Sequence, residues 1–484
     1  MDKKFLKNRG VRDLAYTLGA NFVTLLSGLV STFVLAMIWK STDWYGYAKT
    51  FTLYLGYVGF FHFGFNDGIY INYGKYDYET LPREKFRAYF KFLTWFQIII
   101  ATILGIVACI TTKDTNRVAI DIFLCINIIL VNLTCYFEFI CQIVRKFKFY
   151  SKNMVISKIL YILSVLVLVA FRNNSTDYNK LVGFMFIQTV INLVILVIYI
   201  REFKEINFGK SIEFKQIKDD LKKNINVGFF IMLGNFVSII IIGVDRIVID
   251  NMQKMNLVFT MDDMAMYSFA VSLLSMVYVI INGIKSVAYP YLTRSKEEDL
   301  GKNYMNMKTI IFILLGYCLS AYFIFVILIT KGFPKFIPAL SITAIIFPSI
   351  VISGEINIVT CNYYKILKLK KEYTKNSIVA VSISLITIAV AVACFKSMEA
   401  IAMSSLISFF LWGIYGDRFF EKSLKVNTRK HHIAQLLTII LFLVMSRIEL
   451  WYVAMLIYIL VFTLIVIVIF GKDILSTYKK MKQK

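Results

Sequence analysis

The chain has 484 residues, of which 58% are hydrophobic and 17% are charged. A soluble protein of this length could not bury so much apolar surface, so the composition excludes a soluble protein and predicts a membrane protein. The net charge is +24, but the basic residues lie in short segments between apolar stretches. Such cations typically face anionic lipid head groups, so the charge does not indicate nucleic-acid binding.

Fourteen apolar stretches are predicted to be transmembrane helices, since about 20 apolar residues cross about 30 Å of hydrocarbon. The first stretch is too long for the apolar region of a signal peptide, and the shortest stretch is residues 431–446. Pro338 and Pro348 are predicted to kink the tenth span. In chain order the predicted spans are 14–39, 45–71, 90–111, 118–142, 155–171, 180–200, 225–249, 265–290, 309–330, 335–362, 376–395, 398–416, 431–446 and 451–470.

Lysine and arginine alternate between rich and poor gaps along this series of spans. Every second gap holds five or more basic residues, whereas the gaps between them hold one or two. This is the positive-inside pattern, and it predicts a multi-pass protein of the cell (plasma or inner) membrane with both termini in the cytoplasm. Without the span at 431–446 the basic C-terminal segment would lie outside. The rich segments are 3–12, 75–91, 145–158, 201–223, 285–308, 365–375, 418–430 and 472–484.

The longest interior polar segment, 201–224, separates two groups of six spans. Phe214, Ile217 and Leu221 recur there at helical spacing among lysines, which predicts an amphipathic helix on the cytoplasmic surface. The predicted fold is an all-α integral membrane protein. Its predicted parts are an N-terminal six-helix lobe (1–200), a cytoplasmic amphipathic linker (201–224), a C-terminal six-helix lobe (225–416), and two additional helices with a basic tail (417–484).

Sequence motifs for catalysis are lacking. There is no GxxxxGK[ST] phosphate-binding loop, and no polar segment is long enough for an ATPase domain. The seven cysteines lie in or at the ends of apolar stretches without metal-ligand spacing. We therefore expect a transporter that is not an enzyme and has no cofactor or bound metal. A polysaccharide polymerase is less favoured, because it would need a long outer loop, and the longest one predicted here is 250–264.

Polar residues inside spans carry the functional information, because a charge there costs at least about 2.5–3.5 kcal/mol. Each has a structural alternative. Asp245 and Arg246 would lie at the outer interface, Lys158 and Lys285 would be snorkelling anchors, and His62 would be bonded to a neighbour. The candidates are His62, Asn66, Glu138, Lys158, Asn235, Asp245, Arg246, Lys285 and Glu355.

The seventh and eighth spans resemble those of the polysaccharide/oligosaccharide flippases, which belong to the multidrug/oligosaccharidyl-lipid/polysaccharide exporter superfamily. The seventh span ends in Asp245-Arg246, and Met-Tyr-Ser at 266–268 opens the eighth, which has Pro290 at its far end. In the first half, 43–47 (DWYGY) opens the second span, and Phe63-Gly64 lies near its end. A proline often found where the seventh helix begins is absent.

The resemblance implies two six-helix lobes around a central cavity that opens alternately to each side. Its expected substrate is a polyprenyl-diphosphate-linked oligosaccharide, moved to the outer face for surface polysaccharide such as O-antigen or capsule. Partners would be membrane lipids, H+ or Na+, and other polysaccharide-assembly proteins. Candidate substrate-binding residues are Arg246, Lys158, Lys285, His62, Asn66 and Asn235. Candidate ion-coupling residues are Asp245, Glu138 and Glu355.

Two alternatives stay open at this point. One is a cation-coupled multidrug antiporter of the same superfamily, which would need neither lateral lipid access nor a strongly cationic cavity. The other, a membrane polysaccharide polymerase, is disfavoured by the short outer loops. Nothing in the sequence distinguishes a peptidoglycan-precursor flippase from a surface-polysaccharide flippase.

Overall fold

The structure is a computed structural model that describes residues 19, 22–292 and 299–482. Within α-helices, the side chains at 235, 236, 238, 239, 242, 280, 282, 285–292 and 474–482 are outside the description. The described residues form helices and contain no strand, which confirms an all-α membrane protein. The basic segment 3–12 and the start of the first predicted span lie outside the described residues.

Among the described residues, eight helices precede residue 210. The first is a short apolar helix with π- and 3₁₀-type turns near its end. These helices are α1 Phe22–Met37, α2 Thr42–Leu55, α3 Phe65–Tyr73, α4 Arg83–Thr111, α5 Thr115–Ile143, α6 Phe147–Ala170, α7 Asp177–Glu202 and α8 Lys204–Asn207.

Eleven further helices follow in the described chain. They are α9 Phe214–Lys254, α10 Met261–Leu292, α11 Leu300–Cys318, α12 Ala321–Gly332, α13 Ala339–Ile346, α14 Ser349–Glu355, α15 Cys361–Ile366, α16 Lys370–Cys394, α17 Met398–Leu424, α18 Arg429–Met445 and α19 Trp451–Lys482. Each of the fourteen predicted spans overlaps at least one helix. The shortest predicted span corresponds to α18, whose 17 residues extend about 25 Å.

The described chain divides into two compact units. Unit 1 comprises Met1–Phe236 and Phe259–Ala265, and unit 2 comprises Val237–Val258 and Met266–Lys484. The core of unit 1 is rich in aromatic residues, including Phe86, Tyr136 and Phe137, which contact one another edge-on or tilted. Burial of such large rings, with their favoured edge-to-face contacts, stabilises the packing of α4 against α5.

The second predicted span, 45–71, is wrong as a single helix. The helix α2 ends at Leu55, a 3₁₀ segment runs from Val58 to His62, and α3 begins at Phe65. Phe63 and Gly64 have φ values of 48° and 77°, in the left-handed region. Glycine adopts this conformation without strain, so Gly64 allows the chain to turn and restart a helix.

The predicted linker does not end where the seventh span begins. Residues 214–224 form the first turns of α9, which has 41 residues in total and ends at Lys254. Their amphipathic pattern is present, since Ile217 and Leu221 are buried in unit 1. The lysines on this segment are exposed, at positions 215, 218, 222 and 223. No proline or glycine lies between the polar and apolar parts, so nothing interrupts the helix.

The tenth predicted span is interrupted at its prolines, as expected. Helix α13 follows Pro338, and α14 follows Pro348. A proline lacks the backbone N–H that a continuous helix would use, so the helix is broken there. A π-type turn, Ile356–Thr360, then joins α14 to α15. Residues 342–364 are all buried, which places Glu355 deep inside unit 2.

Candidate functional site

A group of polar side chains in unit 1, here called the break cluster, forms hydrogen bonds with the backbone of the interruption between α2 and α3. Its members are His62, Asn66, Gln97 and Asn132, all buried. The amide of Asn132 donates to the carbonyl of Val58 at 2.9 Å and to Gln97 Oε1 at 3.0 Å, and Gln97 Nε2 donates to the carbonyl of Phe61 at 2.9 Å. These bonds give side-chain donors to carbonyls of the interruption, and neighbouring side chains commonly support a broken helix in this way inside a membrane.

The predicted residues His62 and Asn66 therefore come together, within the break cluster. The Nδ1 atom of His62 accepts from the backbone N–H of Gly64 at 3.0 Å, and Nε2 lies 3.8 Å from Asp67 Oδ2. Asn66 donates to the carbonyl of Asn132 at 3.3 Å. These bonds agree with the structural alternative for His62, a buried histidine bonded to its neighbours.

Two glycines allow the interruption between α2 and α3 to pack closely against the first part of α9, within unit 1. A Cβ on Gly68 would overlap the backbone of Asn224, and a Cβ on Gly228 would overlap the carbonyl of Gly64. Asn72 also donates to the side chain of Asn224 at 2.6 Å. Close backbone approach through small residues is typical of helix contacts inside membranes.

The pair Asp245–Arg246 lies on the part of α9 that belongs to unit 2. Asp245 is buried, and its Oδ2 accepts from the hydroxyls of Tyr267 at 2.5 Å and Ser405 at 2.6 Å. Arg246 is partly buried beside it. Asp245 is therefore a carboxylate buried within the protein and held by two hydroxyl donors.

The remaining predicted residues of unit 1 are two opposite charges, Glu138 on α5 and Lys158 on α6. Both side chains are partly buried and lie close enough to attract each other electrostatically. An opposite charge nearby reduces the cost of a charge within the membrane. The side chains of Asn235 and Lys285 lie outside those that the structure describes, so both residues stay predictions.

The most highly charged buried group in the described chain surrounds Glu355 in unit 2. We call it the lysine cluster; its members are Tyr304, Lys308, Glu355, Asp417, His432 and Gln435. Lys308 Nζ lies 2.9 Å from Glu355 Oε2 and 2.8 Å from Asp417 Oδ2. The side chains of Lys308, Glu355 and Asp417 are at most 2% exposed. An ammonium thus bridges two carboxylates away from solvent.

Neutral donors complete the coordination of both carboxylates. The hydroxyl of Tyr304 donates to Asp417 Oδ1 at 2.6 Å, and Gln435 Nε2 donates to Glu355 Oε1 at 3.0 Å. His432 Nε2 lies 3.4 Å from Asp417 Oδ2. The cluster joins α11, α14, α17 and α18. Its buried charges are tolerated only because they are paired and hydrogen-bonded, which offsets the cost of removing them from water.

Sequence reasoning found Glu355 but missed its partners. Lys308 lies in the basic segment 285–308 and was assigned to the cytoplasmic anchors, whereas the structure buries it. Asp417 follows directly after the predicted end of the twelfth span. One signal was available: Tyr304 and Lys308 are four residues apart, on the face of α11 that also buries Phe312 and Leu315.

Comparisons with known proteins place this fold in a family. The sequence profile described as "Polysaccharide biosynthesis protein" matches residues 11–296, more than half of the chain. The chain belongs to this polysaccharide biosynthesis family. No curated protein matches it in sequence.

Solved structures extend the comparison along the whole chain. A lipid II flippase, MurJ, in an inward closed conformation is similar with a TM-score of 0.68 and 12% identity, over 95% of this chain and 99% of that chain. A MOP superfamily transporter from Pyrococcus furiosus has a TM-score of 0.49 and 12% identity, over 86% of this chain and 96% of that chain. At this identity the similarity to MurJ shows the fold alone.

Proposed function

We propose that the protein flips a polyprenyl-diphosphate-linked oligosaccharide from the cytoplasmic to the outer face of the plasma membrane by alternating access. The observation that carries the proposal is the family match, combined with a fold that resembles MurJ over 95% of the chain. The product would serve surface polysaccharide assembly, together with other assembly proteins. Both termini of the chain would lie in the cytoplasm.

The physical problem for such a transporter is the head group of its substrate. A pyrophosphate and several sugars cannot cross hydrocarbon unaided, while the polyprenyl tail is stable there. Cations would bind the pyrophosphate, and we assign this role to Arg246, Lys158 and Lys285. Asn235 would contact the sugars, whereas His62 and Asn66, buried in the break cluster, would act by holding the interruption between α2 and α3. Asp245, Glu138 and Glu355 would couple a proton or sodium gradient to transport.

The exposed lysines on the first turns of α9 support the proposed direction. They lie at 215, 218, 222 and 223 on one amphipathic segment, within the rich segment 201–223, which holds more basic residues than any other rich segment. The positive-inside pattern assigns this segment to the cytoplasm. A cationic surface there would attract the pyrophosphate of a substrate before it crosses.

A gene deletion followed by analysis of lipid-linked intermediates tests the proposal. We expect polyprenyl-linked oligosaccharide to accumulate on the cytoplasmic side and surface glycan to fall, with rescue by the full chain. Unchanged surface glycan together with increased sensitivity to cationic drugs would contradict the proposal. That result would assign the protein to multidrug export instead.

A further inference from the structure

The lysine cluster has one more negative charge than positive charge when His432 is neutral. Among its described side chains, Lys308 is the single permanent cation, whereas Glu355 and Asp417 are two carboxylates. A buried carboxylate without a compensating charge is costly in a membrane protein, so an additional positive charge would stabilise the cluster. His432 is the other group of the cluster beside Asp417 that can carry a positive charge, and its side chain is 17% exposed.

The hydrogen bonds around His432 indicate which of its ring nitrogens carry a proton. Gln435 Nε2 donates to Glu355, which fixes the amide orientation so that Gln435 Oε1 faces His432 Nδ1 at 3.3 Å. The amide oxygen is an acceptor, so Nδ1 must carry a proton to bond with it. A neutral imidazole has one N–H, and this contact already uses it.

The other ring nitrogen also faces acceptors. His432 Nε2 lies 3.2 Å from Thr428 Oγ1 and 3.4 Å from Asp417 Oδ2. The Thr428 hydroxyl donates its own proton to Glu421 Oε1 at 2.8 Å, so it offers Nε2 a lone pair. A carboxylate likewise accepts. Nε2 therefore needs a proton as well, and the ring is fully bonded only as an imidazolium.

We propose that the lysine cluster is a binding site for one proton, carried on His432 Nε2 and shared with Asp417. Protonation balances Lys308 and His432 against Glu355 and Asp417 and gives every polar contact of the ring a donor and an acceptor. Tyr304 on α11, Glu421 on α17, and Arg429 and His431 on α18 are the further titratable or charged groups that the described chain places against these residues. As a coupling site this assignment rests on the proposed function, but proton binding itself does not.

A proton fits this site better than a metal cation. The ammonium of Lys308 already occupies the position between the two carboxylates, where a sodium ion would need several oxygen ligands. In the part of the chain that the structure describes, no group of three or more histidine, cysteine or acidic residues is placed to hold a metal ion. An imidazole, in contrast, ordinarily exchanges a proton between pH 5 and 8.

Histidine-selective ¹⁵N NMR of the purified full chain in lipid nanodiscs tests the site without any transport substrate. The chain has three histidines, and His432→Gln assigns the signal. We expect His432 to bind one proton between pH 5 and 9, and the ratio of protonated to neutral ring at a fixed pH to fall about tenfold or more in Asp417→Asn. His62, in unit 1, is the internal control and should not respond.

Three results would overturn the proposal. They are a His432 ring that stays neutral down to pH 5, a ratio unchanged in Asp417→Asn, and a ratio that shifts when 100 mM sodium replaces choline. If Asp417→Asn does not fold, Glu355→Gln provides the same comparison, because it also leaves one carboxylate beside Lys308. Absence of flipping with normal His432 titration would contradict the proposed function alone.

Discussion

Replacement of Lys308 by methionine is expected to destabilise unit 2 strongly. Methionine keeps most of the side-chain volume but removes the ammonium that lies within 3.1 Å of three carboxylate oxygens, on Glu355 and Asp417. Both carboxylates are 1% exposed, so water cannot replace the lost partner. Removing one member of a buried ion pair costs about 3–5 kcal/mol, and we expect a loss of this size in the free energy of unfolding.

Equilibrium unfolding of the purified chain in mixed micelles measures this loss. Lys302→Met is the matched control, since Lys302 is exposed on the same helix, and we expect it to change stability by less than about 0.5 kcal/mol. The deficit of Lys308→Met should shrink on acidification from pH 8 to pH 5, because protonation removes the uncompensated buried charge. Adding Glu355→Gln and Asp417→Asn to Lys308→Met should restore most of the stability.

Equal stability of Lys308→Met and Lys302→Met would refute this reasoning. A triple variant less stable than the Lys308→Met single variant would refute it as well. In that case the cluster would be held by packing alone, and its charges would be solvated in the folded protein.

Three further outcomes follow from the described contacts. Gly68→Ala should lower the free energy of unfolding of unit 1 by about 1–3 kcal/mol, because the added Cβ would overlap Asn224. Gly105→Ala is the control and should not lower it, because the atom nearest to its added Cβ is 3.6 Å away. Asn132→Leu leaves the carbonyl of Val58 without its amide donor and should cost about 1–3 kcal/mol in the same unfolding measurement. Arg246→Gln should abolish glycan export at normal expression, with exposed Arg172→Gln as the control; full export by Arg246→Gln would contradict its assigned role.

The helices could be predicted from sequence because apolar length and basic alternation are strong, local signals. Each predicted span overlaps a helix, and the interruptions at Pro338 and Pro348 were anticipated from a residue that cannot continue a helix. The break after Leu55 was not predicted, because no proline interrupts the stretch 45–71. Its stability depends on Gln97 and Asn132, which are distant in sequence.

The charged site was harder to predict for a related reason. A lysine near the end of an apolar stretch has the same local sequence whether it snorkels to the interface or pairs inside the protein. Only the tertiary packing of α11, α14, α17 and α18 distinguishes Lys308 from an anchor. Asp417 and His432 lie at predicted span boundaries, so they were not weighed as interior residues.

The central claim is that the chain moves a lipid-linked oligosaccharide across a bilayer, and flipping by the purified protein tests it most directly. Proteoliposomes containing the full chain and a polyprenyl-diphosphate-linked oligosaccharide would be probed with a membrane-impermeant glycosidase. The account predicts that nearly all of the oligosaccharide becomes accessible with active protein, while about half stays protected in protein-free vesicles. Equal protection in both, with correctly folded protein, would contradict the claim.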